Sequence, residues 1–280
     1  MPYMCAWVRD AGTTSSKRGS PSLAESSPLD DSPIASEAVP LLTFAGVSKR
    51  FPDGTTALNG VDLRVEAGEF VSVIGPSGCG KSTLLRIASD LTKASHGRVD
   101  IQTKKIGYVF QVPTLLPWRS VQTNVELFAE LRGLAKAERR RRADAAIKLV
   151  GLSDFAGHRP RALSGGMRMR VSLARSLTLQ PELFLFDEPF GALDEIARER
   201  LNDELLQLYL TQRFTALFVT HSVTEAVYLS TRVLVMSGRP GRVLADFAVP
   251  FEYPRPPRLR FDERFARLAG QVSAGLREGG

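Results

Sequence analysis

A nearly unbroken apolar run, Phe70-Val71-Ser72-Val73-Ile74, passes directly into Gly75-Pro76-Ser77-Gly78-Cys79-Gly80-Lys81-Ser82-Thr83. The second segment fits the pattern G-x-x-x-x-G-K-[ST], which requires a strand before it and a helix after it. Both contexts are met. The apolar run reads as a strand buried on both faces of a parallel sheet. Residues Ser82 to Leu91 read as a helix with Leu84, Leu85, Ile87, Ala88 and Leu91 on its inner side. The chemistry follows from residue type. Glycines let the backbone wrap a phosphate without Cβ clashes, and N–H groups at a helix start favour an anion. Lys81 reaches toward the β- and γ-phosphates of a nucleotide, and the Ser82 hydroxyl suits Mg²⁺. Cys79 occupies one of the free positions of the loop.

The rest of the chain supports an α/β sheet. Val61, Leu63 and Val65 alternate with Asp62 and Arg64 as a half-exposed strand, after a strand-like stretch at Leu42, Phe44 and Val47. Leu183–Phe186, Ala216–Thr220 and Val233–Met236 read as further strands with helices between them, the signature of a parallel sheet. Leu201, Leu205 and Leu208 stripe one helix, and Ser222-Val223-Thr224-Glu225 has capping-box spacing at the start of another. Phe261, Phe265, Leu268 and Val272 recur at helical spacing and predict a docking helix. The middle of the chain, about residues 114–176, lacks strand patterning and predicts a helical subdomain. Its Leu134–Val150 helix is stopped by Gly151. The run Arg139–Arg142 reads as a solvated outer face rather than a nucleic-acid site, because four successive residues cannot share one helical stripe.

Composition excludes several classes. Lys plus Arg number 37 against 30 Asp plus Glu, a net charge of +7, which rules out an acidic disordered chain. Two cysteines, Cys5 and Cys79, cannot make a disulfide framework or a Cys-only zinc site. The longest apolar runs are too short to span a bilayer, and no apolar stretch follows Arg9, Lys17 and Arg18, so neither a membrane span nor a signal peptide is expected. Residues 1–38 are rich in Ser, Pro and Gly and are expected to be a disordered extension. Residues 39–272 are expected to form the ordered domain, and 273–280 a flexible C-terminus.

Two more segments carry chemistry. Leu183-Phe184-Leu185-Phe186-Asp187-Glu188 is an apolar strand ending in two carboxylates, which places them in the crevice where α/β sheets bind ligands. Asp187 suits a Mg²⁺ shell, and Glu188 suits the polarisation of a water near a γ-phosphate. Leu163-Ser164-Gly165-Gly166-Met167-Arg168-Met169-Arg170 provides a second helix start open to an anion. One nucleotide has one triphosphate, yet the chain carries two such helix starts, which points to a nucleotide held from two sides.

With these segments in order, the chain resembles the ATP-binding subunits of ABC transporters, and among them the nitrate/sulfonate/taurine-type importers. The likeness runs from about Leu41 to about Val272. In family terms Gly75–Thr83 is the Walker A loop and Leu183–Glu188 is Walker B, with Glu188 the catalytic base. Ser164, Gly165 and Gly166 belong to the signature motif. Gln111, after Val109-Phe110, matches the Q-loop glutamine that touches Mg²⁺ and the attacking water. Gly191-Ala192-Leu193-Asp194 matches the D-loop, and Asp194 is counted with the nucleotide-contacting residues. His221 matches the switch histidine at the γ-phosphate, and Phe51 the aromatic that stacks on adenine.

The resemblance implies a P-loop NTPase (RecA-like) core with an antiparallel β subdomain and an inserted α-helical subdomain. It also implies ATP and Mg²⁺, a nucleotide-sandwich homodimer, a separate membrane permease, and an extracytoplasmic solute-binding protein. The expected location is peripheral, at the cytoplasmic face of the membrane, with no nucleic-acid partner. The cargo stays open between nitrate/sulfonate/taurine-type solutes and a vitamin precursor of the thiamine-pyrimidine or riboflavin type. A soluble ABC ATPase acting on DNA or ribosomes is the rival class. The short stretch between Gln111 and Leu163 leaves no room for the long coiled-coil insertion of the DNA-repair type. Met167 and Met169 stand where glutamine is common, and Gly191 where serine is frequent. Leu116-Pro117-Trp118-Arg119, just after the Q-loop, suits a protein interface.

Overall fold

The computed structural model describes residues 39–278; the expectation for residues 1–38 lies outside the described residues. The strands in chain order are β1 (Leu42–Arg50), β2 (Thr56–Val65), β3 (Phe70–Ile74), β4 (His96–Ile101), β5 (Ile106–Val109), β6 (Leu183–Asp187), β7 (Thr215–Val219), β8 (Arg232–Met236) and β9 (Val243–Ala248). The helices are α1 (Lys81–Ala88), α2 (Val121–Leu131), α3 (Lys136–Leu149), α4 (Gly165–Leu177), α5 (Glu195–Gln212), α6 (Val223–Leu229) and α7 (Glu263–Glu278). They build two sheets. An antiparallel three-stranded sheet runs β2-β1-β4, and a six-stranded sheet runs β5-β6-β7-β3-β8-β9, parallel except for its last strand.

Period-2 alternation sends the central strands' side chains to two cores. On one face Phe70, Phe184, Phe186 and Phe218 pack with Tyr209 and Phe214 from the end of α5 and the residue before β7. On the other face Val71, Val73, Leu185, Leu217 and Val219 meet Leu84 and Leu85 of α1 and Leu42, Phe44 and Leu58 of the small sheet. Each fully buried Leu, Val or Phe contributes ~1.5–3 kcal/mol, so the doubly buried strands fix the sheet order. A third cluster, Val121, Val125, Ala143, Ile147, Val171 and Ala174, joins α2, α3 and α4 into a helical unit.

Several expectations need correction. Leu91 is exposed rather than inward: α1 stops at Ala88, Asp90 turns left-handed with φ of 60°, and the chain leaves the core. Phe261 precedes α7, in a 3-10 turn that begins at Pro257, and is 87% exposed, whereas Phe265 and Val272 are buried. The segment after Val272, expected to be flexible, continues as α7 through Glu278, with Leu276 packed on the core. The arginine run divides. Arg140 and Arg141 are exposed, but Arg142 is half-buried against Glu138 at 2.7 Å and Arg139 faces Glu126 at 3.5 Å. Half of the run is therefore structural, tying α3 internally and to α2. Among the described residues no helix is long and apolar enough to cross a membrane.

Candidate functional site

The glycine-rich loop leaves β3 at Ile74 and re-enters helix at Lys81. Gly78 and Gly80 have φ of 75° and 105°, a region that L side chains rarely adopt. A Cβ on Gly80 would stand 2.7 Å from the Ala57 carbonyl oxygen, so the loop is seated directly on β2. Lys81 is buried, and its ammonium donates to the carbonyls of Gly75 at 2.8 Å and Pro76 at 3.0 Å. Ser77 is exposed at the loop's turn. Cys79 is buried, and its Sγ lies 4.0 Å from the Lys81 ammonium behind the loop. Phe51, Thr83, Ser82, Lys81 and Glu188 border one recess. The ammonium of Lys49 lies 5.3 Å from the Phe51 ring centroid.

The two carboxylates arrive on β6, next to β7 in the sheet. Asp187 is buried and doubly bonded: Ser82 Oγ donates to Oδ1 at 2.7 Å, and the Tyr108 hydroxyl donates to Oδ2 at 3.1 Å. Burial, and after it the Asp187 charge, push the Tyr108 phenol well above its ordinary range, so it stays a donor. Glu188 takes a left-handed backbone with φ of 46°, a conformation that costs ~1–3 kcal/mol in a non-glycine residue and clusters at functional sites. Its N–H bonds the Val219 carbonyl at 3.0 Å, and its own carbonyl accepts from Gly191 at 3.2 Å. Three groups converge on its carboxylate: Gln111 Nε2 at 3.3 Å, His221 Nδ1 at 3.5 Å and Lys81 Nζ at 3.9 Å.

His221 follows β7 and is packed by the Gly191 turn. A Cβ at 191 would approach His221 Cε1 to 3.3 Å, so glycine in place of the commoner serine leaves room for the ring. Behind it Thr220 Oγ1 donates to the buried Glu225 and accepts from the Ser222 N–H, and Ser222 caps α6. Burial raises the Glu225 carboxyl above its ordinary value.

Ser164 and Asp194 stand elsewhere. Ser164 caps α4 by accepting from the Met167 N–H at 3.2 Å, and Asp194 caps α5 by accepting from Ala197 at 2.9 Å. With Gly165 and Gly166 they border a second hollow that shares no lining residue with the recess at Lys81. The chain thus brings Phe51, Gly80–Thr83, Asp187, Glu188, Gln111 and His221 together, and leaves Ser164–Gly166 and Asp194 apart from them. Of the two methionines, Met169 is buried in the main core, where an apolar side chain belongs, and only Met167 borders the second hollow. Sequence reasoning missed Tyr108 and Arg239, and read Glu225 only as the acid of a capping box. Arg239 Nε donates to the Gly78 carbonyl at 3.0 Å, across 161 positions of sequence.

The model of the ABC transporter family matches residues 58–191. The aliphatic sulfonates import ATP-binding protein SsuB 1 of Pseudomonas syringae pv. syringae (strain B728a) is 45% identical over 227 residues, which cover 80% of this chain and 92% of that protein. The chain belongs to the ABC transporter ATP-binding family. Solved ABC structures agree on the fold. CbiO1 of Clostridium perfringens, part of the transporter complex cbiONQ, superposes with a TM-score of 0.69 at 26% identity, covering 84% of this chain and 99% of that one. An ATP-binding cassette solved as a dimer in a post-hydrolysis state with ADP and Pi gives 0.67 at 33% identity, covering 75% of this chain and all of the other. The chain is accordingly an ABC-type ATPase with a P-loop NTPase fold, the ATP-binding subunit of an ABC transporter.

Proposed function

We propose that this ABC ATPase works as a homodimer that clasps two ATP molecules and drives solute import through a separate membrane permease. The observation that carries the reading is the separation within one chain: the lysine-bearing loop and its carboxylates border one recess, while the Ser164–Gly166 helix start opens onto another. A second copy supplies the missing half of each site. In the joined site adenine stacks on Phe51, Lys81 and His221 balance charge on the transferred phosphoryl group, and Ser164 contributes from the partner copy. Water adds to the γ-phosphorus as the β,γ-bridging P–O bond breaks, and Glu188 takes the water's proton while Gln111 orients it. The contacts of Lys81, Gln111 and His221 with Glu188 hold this machinery poised in the chain alone.

The donors Ser82 Oγ, Gln111 and Asp187 fit Mg²⁺. They are hard oxygens with a single carboxylate, the set used where phosphates and waters complete the shell. Among the described residues no cluster of three His, Cys, Asp or Glu could cage a metal alone. When bound, Mg²⁺ neutralises charge on the β- and γ-phosphates. The permease contact is assigned to the segment after Gln111, where Val112 and Trp118 are both about two-thirds exposed. The likeness to the aliphatic sulfonates import protein SsuB 1 favours an aliphatic sulfonate as cargo. In this arrangement the ATPase lies peripherally on the cytoplasmic face, and an extracytoplasmic binding protein selects the solute. Glu188→Gln tests the dimer: with Mg²⁺ and ATP it should accumulate as a dimer with little turnover. Full ATPase activity in that variant would refute the base assignment.

A further inference from the structure

We infer that Arg239 binds the phosphate chain of the nucleotide, as a second fixed cation beside Lys81. The inference rests on reading the Phe51–Lys81 recess as the ATP site. It starts from charge. The charged side chains bordering that recess are Lys81, Glu188 and Arg239. The Lys81 ammonium lies 3.9 Å from the Glu188 carboxylate, so these two offset each other, and Asp187 adds a further negative charge behind them. Without Arg239 these side chains leave the recess net negative, which repels a polyanion; Arg239 cancels that excess.

The scaffold under Arg239 is built for placement. The turn Ser237–Gly241 is closed on itself: Ser237 N–H donates to the Arg242 carbonyl at 2.9 Å, and the Ser237 hydroxyl accepts from the Arg242 N–H at 3.0 Å. It is also tied to β2, through Gly241 N–H to the Ala57 carbonyl at 2.9 Å and Asn59 N–H to the Gly241 carbonyl at 3.0 Å. Gly241 is pressed so closely on the phosphate loop that a Cβ would come within 2.1 Å of the Cys79 carbonyl oxygen. At the tip of this turn Arg239 is exposed and spends only its Nε–H, on Gly78. Its terminal N–H groups have no protein hydrogen-bond partner among the described residues, and they carry the planar fork that matches phosphate oxygens. A rigid turn that presents a guanidinium with its terminal donors free is the arrangement a pre-organised binding residue needs.

Calorimetric titration of the full chain with ATP, ADP and adenosine, for wild type, Arg239→Ala and Arg239→Lys, tests this. Arg239→Ala should weaken ATP and ADP about tenfold and leave adenosine unchanged, and Arg239→Lys should lose less. In turnover, KM for ATP should rise by a larger factor than kcat falls, and the salt dependence of ATP binding should become shallower. Unchanged ATP and ADP affinity with a lowered Tm would reduce Arg239 to a brace for Gly78 and overturn the proposal. So would an equal loss for adenosine, which would assign the contact to the nucleoside. A wild-type chain that binds no ATP would refute the reading of the recess itself and this inference with it. Wild-type binding alongside an undiminished Arg239→Ala would refute this inference alone.

Discussion

The Tyr108 hydroxyl and the Asp187 carboxylate are joined by a 3.1 Å hydrogen bond that spans two neighbouring strands and leaves Asp187 with a donor on each oxygen. The Tyr108 ring also stacks on Phe110 at 4.1 Å, one residue before Gln111. One side chain therefore orients the carboxylate assigned to Mg²⁺ and supports the segment that leads to the glutamine. Outer-shell partners of this kind are worth about 10–100-fold in metal affinity. Tyr108→Phe should weaken Mn²⁺ binding, read by electron paramagnetic resonance in the presence of ATP, by about tenfold. Metal-free ATP affinity should not change. An unaltered Mn²⁺ affinity would remove Tyr108 from the metal's support.

A methyl group at Gly241 has nowhere to go. It would collide first with the Cys79 carbonyl oxygen of the phosphate loop, at 2.1 Å, and then with the Met236 side chain, at 2.8 Å. Gly241→Ala should therefore cost ~1–3 kcal/mol of stability in denaturant unfolding, the scale of overpacking a well-filled site, and weaken ATP binding as the loop shifts. Gly157→Ala, in open space on the surface, is the control and should change neither.

Glu225 supplies a pH test. Its carboxyl is held above its ordinary value by burial, so the folded chain keeps that proton to higher pH than the unfolded chain does. As pH rises past the unfolded carboxyl's range, about 4.3, ionisation favours the unfolded state, and this contribution to stability declines until the folded group also ionises. Glu225 Oε1 and Asn202 Oδ1 are also both buried without a partner. Glu225→Gln removes the charge and adds a donor beside them. Its gain in Tm over wild type should be larger at pH 8 than at pH 5, by thermal unfolding. A gain independent of pH would show that ionisation of Glu225 is not the cause.

The Gly191–His221 contact predicts a directional effect on turnover. Gly191→Val puts branched bulk where even a single Cβ would lie 3.3 Å from the ring. The imidazole should be displaced from Glu188, and kcat should fall by about tenfold or more while ATP binding persists, if the displaced group has the proposed role at the reacting phosphoryl. Equal losses in kcat and in ATP affinity would indicate general damage instead.

Much of this fold was legible because its decisive elements are local and strongly patterned. The run Phe70–Ile74 and its glycine-rich sequel, or Leu183–Glu188 with its terminal acids, announce strand, turn and chemistry within a dozen residues. Two of the edge strands, β4 and β9, were not read. β4 is exposed to half-buried throughout, and β9 only half-buries Val243, Ala245 and Phe247, so neither carries a strong apolar signal. The helical repeat at Phe261 failed because the prolines upstream hold that residue in a turn outside α7. Tyr108 and Arg239 were invisible for a different reason. Each acts on a residue 79 or 161 positions away, and only the sheet order brings the partners together.

The central claim is that one triphosphate is held by the lysine-bearing loop of one copy and the serine–glycine helix start of another. Cysteines placed at Ser77 and Ser164 in a chain carrying Cys5→Ser, with Glu188→Gln to preserve ATP, measure it directly. A disulfide-linked dimer should form with Mg²⁺ and ATP and not without nucleotide. Failure of the two positions to link in saturating Mg²⁺ and ATP, or equal linking without nucleotide, would contradict it.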